Sequence, residues 1–479
     1  METPSASQLK YSNGGEAMAD VAHIKPKDQQ DQGPMKLGTQ EGRKWPIKPE
    51  FTPEVLEEME KLLPSKLNRI VATSLAGCIH CGMCSDACHY TRSIPEDKTL
   101  LPAYKADRFW KWYKWRYDWL AKLFPSFVGA QPLTKELAKE MYDKLWGGCT
   151  MCRRCTFNCP MGVDYGMLVR AARGIMCQAG RIPQHLQDTI DTHYNSGNNM
   201  AVPQDEFIET IEWIEEELQS EDGCEDFTIP LDKKGAKYFL TLNPREPKYY
   251  PLTIQATAKV LNAAGVDFTI SSRYWDLTNY AMFNGIDSDA KLFASWIFDE
   301  MKRLECEYLL SGECGHGYRG LRWELPNWLG GVPFKITSTM ELFAKIIQEG
   351  LITLDKSVWD GERFTYHDSC NIARSGGVWE EPRIVIRAAV NDFVEMEHNR
   401  EQSFCCGGGG GALAMPEFSQ RRIAAGKIKA DEIRATGATV ILQSCHNCTD
   451  QLKEISEHYK LGARVMNLAE LLTEAIVLK

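Results

Sequence analysis

A multidomain α+β fold is expected: a mainly helical N-terminal unit, then a duplicated α/β unit with parallel sheets. Three observations predict it. The chain has 479 residues, enough for two to four domains that each bury a core. Residues 51–185 carry helix signals around two cysteine runs of matched spacing. From about 236 onward strand and helix patterns alternate, and their order can be read twice.

Residues 1–50 are polar, with few periodic apolar positions, and are expected to be a flexible tail. They contain no apolar core of a signal peptide. Thr52-Pro53-Glu54 opens a helix through a hydroxyl cap, a first-turn proline and an acidic residue at the positive end, and Pro64 bends or ends it. The 60 residues between Cys88 and Cys149 read as a helical insert that includes 133–146. Asp164 caps a helix running to Ala179, with Gly180 at its stop. Residues 186–235 are expected to be an acidic helical linker, with a surface helix over 203–225. The first α/β half spans 236–350, with strands at 237–242, 266–270 and 307–311 and helices at 252–264 and 288–304. The second spans 351–479, with strands at 363–367, 393–397 and 439–443 and helices at 381–391 and 417–436. Spacing supports the duplication: Cys406 and Cys445 are 39 positions apart, as are Trp275 and Cys314.

The matched runs are Cys78-x2-Cys81-x2-Cys84-x3-Cys88 and Cys149-x2-Cys152-x2-Cys155-x3-Cys159-Pro160. Thiolates so spaced hold [4Fe-4S] clusters, and the fourth cysteine of each run ligates the other cluster. Cys78, Cys81, Cys84 and Cys159 are therefore assigned to cluster 1, and Cys149, Cys152, Cys155 and Cys88 to cluster 2. A zinc site would need four ligands and no doubled pattern. His89 stands where Pro160 follows the second run. It is read either as a hydrogen-bond donor to a cluster sulfur, raising its potential, or as a surface histidine.

Seventeen cysteines in a chain this long point to metal-bound thiolates in a reducing, intracellular compartment. A net charge of −10 argues against a nucleic-acid role. No stretch of eighteen apolar residues occurs, so no span is expected, although a membrane partner is compatible. The run from Phe109 to Trp119 interleaves aromatics with cations too densely for one helical face. It either roofs the clusters and packs the insert, or docks on a membrane subunit or lipid headgroups.

A second constellation comprises Cys370, Cys405-Cys406 and Cys445-x2-Cys448. All five fall at or just beyond carboxyl ends of strands, where open α/β sheets place ligands. The five glycines over 407–411 suit backbone passing close to a bulky inorganic core.

Cys370-x34-Cys405-Cys406-Gly407-x37-Cys445-x2-Cys448, behind a helical two-cluster unit, resembles the CCG domain of heterodisulfide reductases, in the single-chain HdrD and DsrK arrangement. The resemblance covers about 50–479. It implies that Cys370, Cys405, Cys406, Cys445 and Cys448 hold a noncubane [4Fe-4S] cluster that reduces or forms a disulfide or trisulfide. The first half departs from the pattern, with Tyr274-Trp275 opposite Cys405-Cys406 and Cys314-Gly315-His316-Gly317 opposite Cys445-His446-Asn447-Cys448. One metallated CCG site is therefore expected, and Glu313-Cys314-Gly315-His316 resembles the DsrK branch.

The resemblance further implies a catalytic oxidoreductase subunit, peripheral on the cytoplasmic face of the inner membrane. A cytochrome b-type quinol-oxidising subunit would supply electrons, and the acceptor would be a disulfide or a trisulfide carried by a small protein. Alternatives are an electron-relay subunit of a transmembrane cytochrome conduit, the iron–sulfur subunit of a flavin-dependent hydroxy-acid or glycerol-3-phosphate dehydrogenase, and a zinc-binding module. Protons must reach the leaving thiolates, and His367, His446 and His316 lie near the cluster loops in an ordinary titration range. Asp368 is expected to hold His367 or a loop amide. Cys314 is read as a spare pocket thiol or an inert buried one, and Cys177, Cys224 and Cys306 as non-ligands.

Overall fold

The computed structural model describes residues 45–478. The expected tail over 1–50 lies outside them except for its last six positions. There the Lys48 N–H donates to Gly180 O (2.9 Å) and Trp45 Nε1 to Asp289 Oδ2 (3.2 Å).

Helices dominate as far as residue 219. Pro53–Lys66 starts where Thr52 Oγ1 accepts the Val55 N–H, and it ends two residues beyond Pro64. Tyr165–Gln178 starts where Asp164 accepts from Met167 N, and its chain turns away through Gly180 at φ +86°. Its flanks are buried on nearly every side, because Pro53–Lys66, Arg69–Gly77, Pro102–Tyr117 and Lys135–Trp146 all pack on it. The acidic stretch forms Gln204–Gln219, whose stripe of Phe207, Ile211, Ile214 and Leu218 is buried while its carboxylates face outward.

Two parallel sheets follow. The first has the spatial order Phe268–Thr269, Tyr238–Thr241, Tyr308–Ser311, Lys335–Ser338. The second orders Phe364–Tyr366, Val440–Gln443 and Arg464–Asn467 in parallel, with Phe393 bridged on the outer side of Phe364. The two orders correspond strand for strand. Packing is reciprocal as well: Pro251–Ala263 of the first half lies on Leu468–Ala475 of the second, and Glu380–Ala389 of the second on Thr339–Gln348 of the first. One apolar core runs through both. That exchange is what a pseudo-two-fold duplication produces, and it turns the carboxyl ends of the two sheets toward each other.

Three local expectations change. The strand at 393–397 shrinks to the Phe393 bridge, because Glu395 is drawn to Arg383 (2.8 Å), pulling the chain off the sheet edge. The helix at 417–436 divides into Ser419–Ala425 and Lys427–Thr436 at Gly426, where a Cβ would stand 2.7 Å from Ile455 Cγ2. Each half also gains a last strand and helix, joined by capping boxes at Ser338/Glu341 and Asn467/Glu470.

The helical unit is joined to the first half at a crossing of glycines. Gly285 sits at φ +78°, and a Cβ there would lie 2.1 Å from Arg170 O; one on Gly174 would lie 2.5 Å from Gly285 O. Gly285→Ala is expected to cost about 3 kcal/mol from left-handed strain and backbone overlap. Urea unfolding reads this, and a loss under about 1 kcal/mol would show that the crossing yields.

Candidate metal centre

The two cysteine runs line two neighbouring cavities. One is bordered by Cys78, Cys81, Cys84 and Cys159, the other by Cys88, Cys149, Cys152 and Cys155. Each takes three thiols from one run and the fourth from the other, the crossed pattern expected from spacing. Tyr165 borders both, with its hydroxyl 3.6 Å from Cys78 Sγ. The first cavity is near the surface: Cys81 is exposed, as are Ile79 and Met83 beside it. The second is interior, and Cys88, Cys149, Cys152 and Cys155 surround it below helix Tyr165–Gln178.

The strand ends of the second half deliver the other five thiols, all buried. Cys370 follows Phe364–Tyr366, Cys445 follows Val440–Gln443, and Cys448 lies in the first turn of His446–His458. Cys405 and Cys406 arrive on the loop after the Phe393 bridge. Cys406 Sγ is 3.4 Å from Cys448 Sγ, and the N–H groups of Gly407 and Gly408 donate to Cys405 Sγ and Cys406 Sγ (3.4 Å each). Contact with Cys448 lowers the Cys445 thiol to about 6. Cys405, through Cys152 and Cys370, and Cys406, through Cys405 and Cys448, are also held below the ordinary thiol range. Cys370 and Cys448 are pushed well up, chiefly by Cys405 and Cys406 respectively. Crowded thiols of this kind form a thiolate-rich donor set suited to iron.

The interior cavity and the five-thiol site touch. Ligand-capable atoms of His89, Cys152 and Cys405 lie within 4.8 Å of one another, and Thr150 Oγ1 donates to Cys405 Sγ (3.4 Å). The glycine run makes this approach possible. A Cβ on Gly410, at φ +64°, would stand 2.5 Å from Thr150 C and O. Gly410→Ala is therefore expected to separate the two loops at a cost of about 2–4 kcal/mol. Thermal unfolding of the iron-loaded chain reads it; an unchanged midpoint would show the approach to be loose.

Buried cations provide an independent test of fit. Lys105, Arg154, Arg173 and Arg374 are all buried, and among the described residues none is within ion-pair distance of a carboxylate. Lys105 Nζ donates to Gly148 O (2.6 Å). Arg173 donates to the carbonyls of Leu145, Trp146, Cys149, Phe283 and Gly410. Arg374 donates to Cys152 O (2.8 Å), Glu401 O and Ser403 O, and Arg154 to Gln402 O and Asp86 O while covering the Phe404 ring at 3.8 Å. Uncompensated buried charge is costly, so four such cations around these thiols match anionic thiolate-bound clusters. None of the four was legible in the sequence, since a lone lysine or arginine in a helix or turn looks like solvated surface.

The histidines separate. His89 is buried, not superficial, and neither ring nitrogen has a hydrogen-bond partner. His367 has Cys406 and Cys448 within 4.8 Å and two unpartnered nitrogens; burial, aided by Lys429, lowers it to about 3. His316 is likewise lowered to about 3 by burial and sits 3.3 Å from Cys314 Sγ. Burial thus disfavours the charged form of both rings, below the ordinary range expected of them. His446 Nε2 faces Glu246 Oε1 at 2.8 Å. Asp368 does not hold His367: it takes Arg383 (2.7 and 2.8 Å) and the Arg400 N–H (2.7 Å), the loop-amide alternative. Cys177 meets Gln187 (3.7 Å), Cys306 meets Leu304 O (3.7 Å), and Cys224 lies in the apolar core. The degenerate first half faces the site directly. His446 N–H donates to Glu313 O (3.2 Å), and a Cβ on Gly315 would come 3.6 Å from Cys445 Sγ.

Comparison with known proteins agrees with this layout. Residues 74–163 match a 4Fe-4S dicluster domain and residues 364–453 match CCG, a cysteine-rich domain. The chain is 28% identical over 471 residues to an Hdr-like menaquinol oxidoreductase iron-sulfur subunit 2 of Archaeoglobus fulgidus, covering 88% of this chain and 83% of the relative. It is 25% identical to one subunit of the dihydromethanophenazine:CoB--CoM heterodisulfide reductase of Methanosarcina barkeri, covering 87% of this chain and 99% of that one. It is also 25% identical to an EtfAB:quinone oxidoreductase of Syntrophomonas wolfei, covering 84% of this chain and 58% of that protein.

Proposed function

For a heterodisulfide reductase-like iron–sulfur protein, built from a 4Fe-4S dicluster domain and a CCG cysteine-rich domain, we propose catalytic reduction of a sulfur–sulfur bond within a membrane-linked quinone oxidoreductase complex. The carrying observation is the junction of Cys152, His89 and Cys405. It joins the thiol sets into one line from exposed Cys81 to the buried five-thiol site. In this reading Cys78, Cys81, Cys84 and Cys159 would hold the cluster nearest the electron donor, and Cys88, Cys149, Cys152 and Cys155 the one beside the five-thiol site. The donor is a quinol-oxidising cytochrome b-type subunit, with the chain on the cytoplasmic face of the membrane.

Cleaving a disulfide takes two electrons delivered singly, and an iron–sulfur core held by Cys370, Cys405, Cys406, Cys445 and Cys448 would supply a place for the half-cleaved sulfur to rest. The surrounding residues manage protons and exclude water. His446, paired with Glu246, is stacked on Tyr250 at 5.5 Å, and the Tyr250 hydroxyl donates to Asp450 Oδ1 (2.7 Å). Ring stacking carries no proton, so the proton-handling pair is His446 with Glu246, while Tyr250 and the partly exposed Asp450 close the site on its solvent side. The acceptor is a disulfide or a trisulfide on a small protein; the first half, stripped of its CCG cysteines, favours the DsrK-like branch. A second reading, quinone-linked electron relay without sulfur chemistry, draws on the similarity to EtfAB:quinone oxidoreductase.

Anaerobically purified chain is expected to carry about twelve iron and twelve sulfide atoms, about four per cluster. A paramagnetic signal from the five-thiol site should change on titration with a thiol. Iron near eight atoms, or a spectrum indifferent to thiols and disulfides, would sink the sulfur reading and leave the relay.

A further inference from the structure

Helix Pro102–Tyr117 changes character along its length. Phe109 and Trp112 are buried in the helical core, and Trp112 Nε1 donates to Glu60 Oε1 (2.7 Å). Beyond them the chain projects through two single-turn helices, Trp119–Leu123 and Pro125–Val128, and returns where Gln131 N–H donates to Lys111 O (3.1 Å). Only Ala121 of these two turns is buried. Trp119 is 69% exposed, Leu123 63%, Phe124 60% and Phe127 89%. Four large apolar side chains held in water on one short projection are a contact surface without its partner.

Charge indicates which partner. The chain is acidic overall, at −10, but this projection carries exposed Arg116 and Lys122, neither in an ion pair among the described residues. Asp118, whose carboxylate accepts the Leu120 N–H (2.9 Å), is the single acidic residue over 115–130, so the cations stay in excess. Lys114 is turned back onto Val128 O and the Trp110 ring, fixing the fold of the projection. Apolar and aromatic side chains at a tip, with cations behind them, suit a bilayer interface with anionic headgroups. A protein partner would ask for a broad face of about 800 Å²; two single-turn helices present a tip.

We propose that Trp119, Leu123, Phe124 and Phe127, backed by Arg116 and Lys122, form a lipid-interface anchor that inserts into an anionic bilayer surface. Its position has a consequence for electron delivery. The His80 ring, inside the Cys78–Cys81 loop, packs edge-on against Trp110 at 5.8 Å. Seating the tip in lipid therefore turns the exposed cluster loop toward the membrane edge, where a membrane-bound donor would reach it. That orientation rests on the redox reading above; the lipid contact does not.

The test uses the full iron-loaded chain and vesicles of phosphatidylcholine with and without phosphatidylglycerol, read by co-sedimentation. Binding is expected on the anionic vesicles and should weaken as salt rises. Leu123→Ser/Phe124→Ser/Phe127→Ser should reduce it by about tenfold or more, with the visible absorption and thermal midpoint retained. Arg116→Glu/Lys122→Glu should remove the preference for anionic lipid. Three outcomes overturn the proposal: no binding to either vesicle, equal binding to both, or binding indifferent to the triple serine variant. If vesicles are ignored while that variant fails to assemble with a detergent-solubilised membrane subunit, the tip is a protein dock instead. Disulfide reduction by the soluble chain is a separate readout. Its absence beside intact vesicle binding counts against the redox reading alone.

Discussion

Cys406→Ala is expected to abolish disulfide-dependent turnover while leaving both four-cysteine cluster signals in place. Cys406 stands at the centre of the five thiols, 3.4 Å from Cys448 and receiving the Gly408 N–H. Loss of a partner that merely orients a metal ligand typically costs 10–100-fold, so removal of a ligand thiol should exceed about 100-fold. The measurement is oxidation of a reduced dye by a disulfide, with spectra of the same sample counting the clusters. Turnover within about tenfold of the parent would place the reactive centre elsewhere. Cys314→Ser is the companion variant: Cys314 pairs with His316 in the first half, and its replacement should keep the full iron content.

Arg173→Met is expected to destabilise the iron-loaded chain by about 3–5 kcal/mol. Arg173 is fully buried and ties carbonyls of the helical unit (Leu145, Trp146, Cys149), the first half (Phe283) and the glycine run (Gly410) to one guanidinium. Each carbonyl left without a donor costs about 1–3 kcal/mol, though not additively. The iron-free chain should lose less, because there the cation lacks the anionic cluster that compensates it and its removal relieves buried charge. Lys105→Met isolates that term, since Lys105 makes one hydrogen bond, to Gly148 O. It should destabilise the loaded form and spare or stabilise the iron-free one. Equal losses in both forms, by thermal unfolding before and after chelation, would show that these cations do not balance the clusters.

Much of the architecture could be read along the chain because its signals are local. The Thr52 and Asp164 caps, the strand over 237–242 and the helix over 288–304 all have matching elements in the structure, and the strand order in the two sheets repeats as the duplication requires. The strand at 393–397 was misread because its apolar residues resemble a ladder strand. What removes it is an ion pair of Glu395 with Arg383, remote from any local propensity. The closing strands Lys335–Ser338 and Arg464–Asn467 were missed, although the Ser338/Glu341 and Asn467/Glu470 spacings offered a signal for the helices that follow.

The same division runs through the site. Cysteine spacing grouped three thiols of each run, because residues three and six apart on one turn reach a common centre; the fourth thiol of each cavity comes from the other run, and packing brings it there. Spacing could not place Cys152 beside Cys405, or set Arg173 between Cys149 and Gly410. Those meetings join segments more than 200 residues apart. They arise only when the halves pack reciprocally and a side-chain-free glycine run lets two loops approach. Burial then decides which imidazoles stay neutral and which cations require an anionic neighbour, since the cost of charge depends on the dielectric that tertiary packing creates.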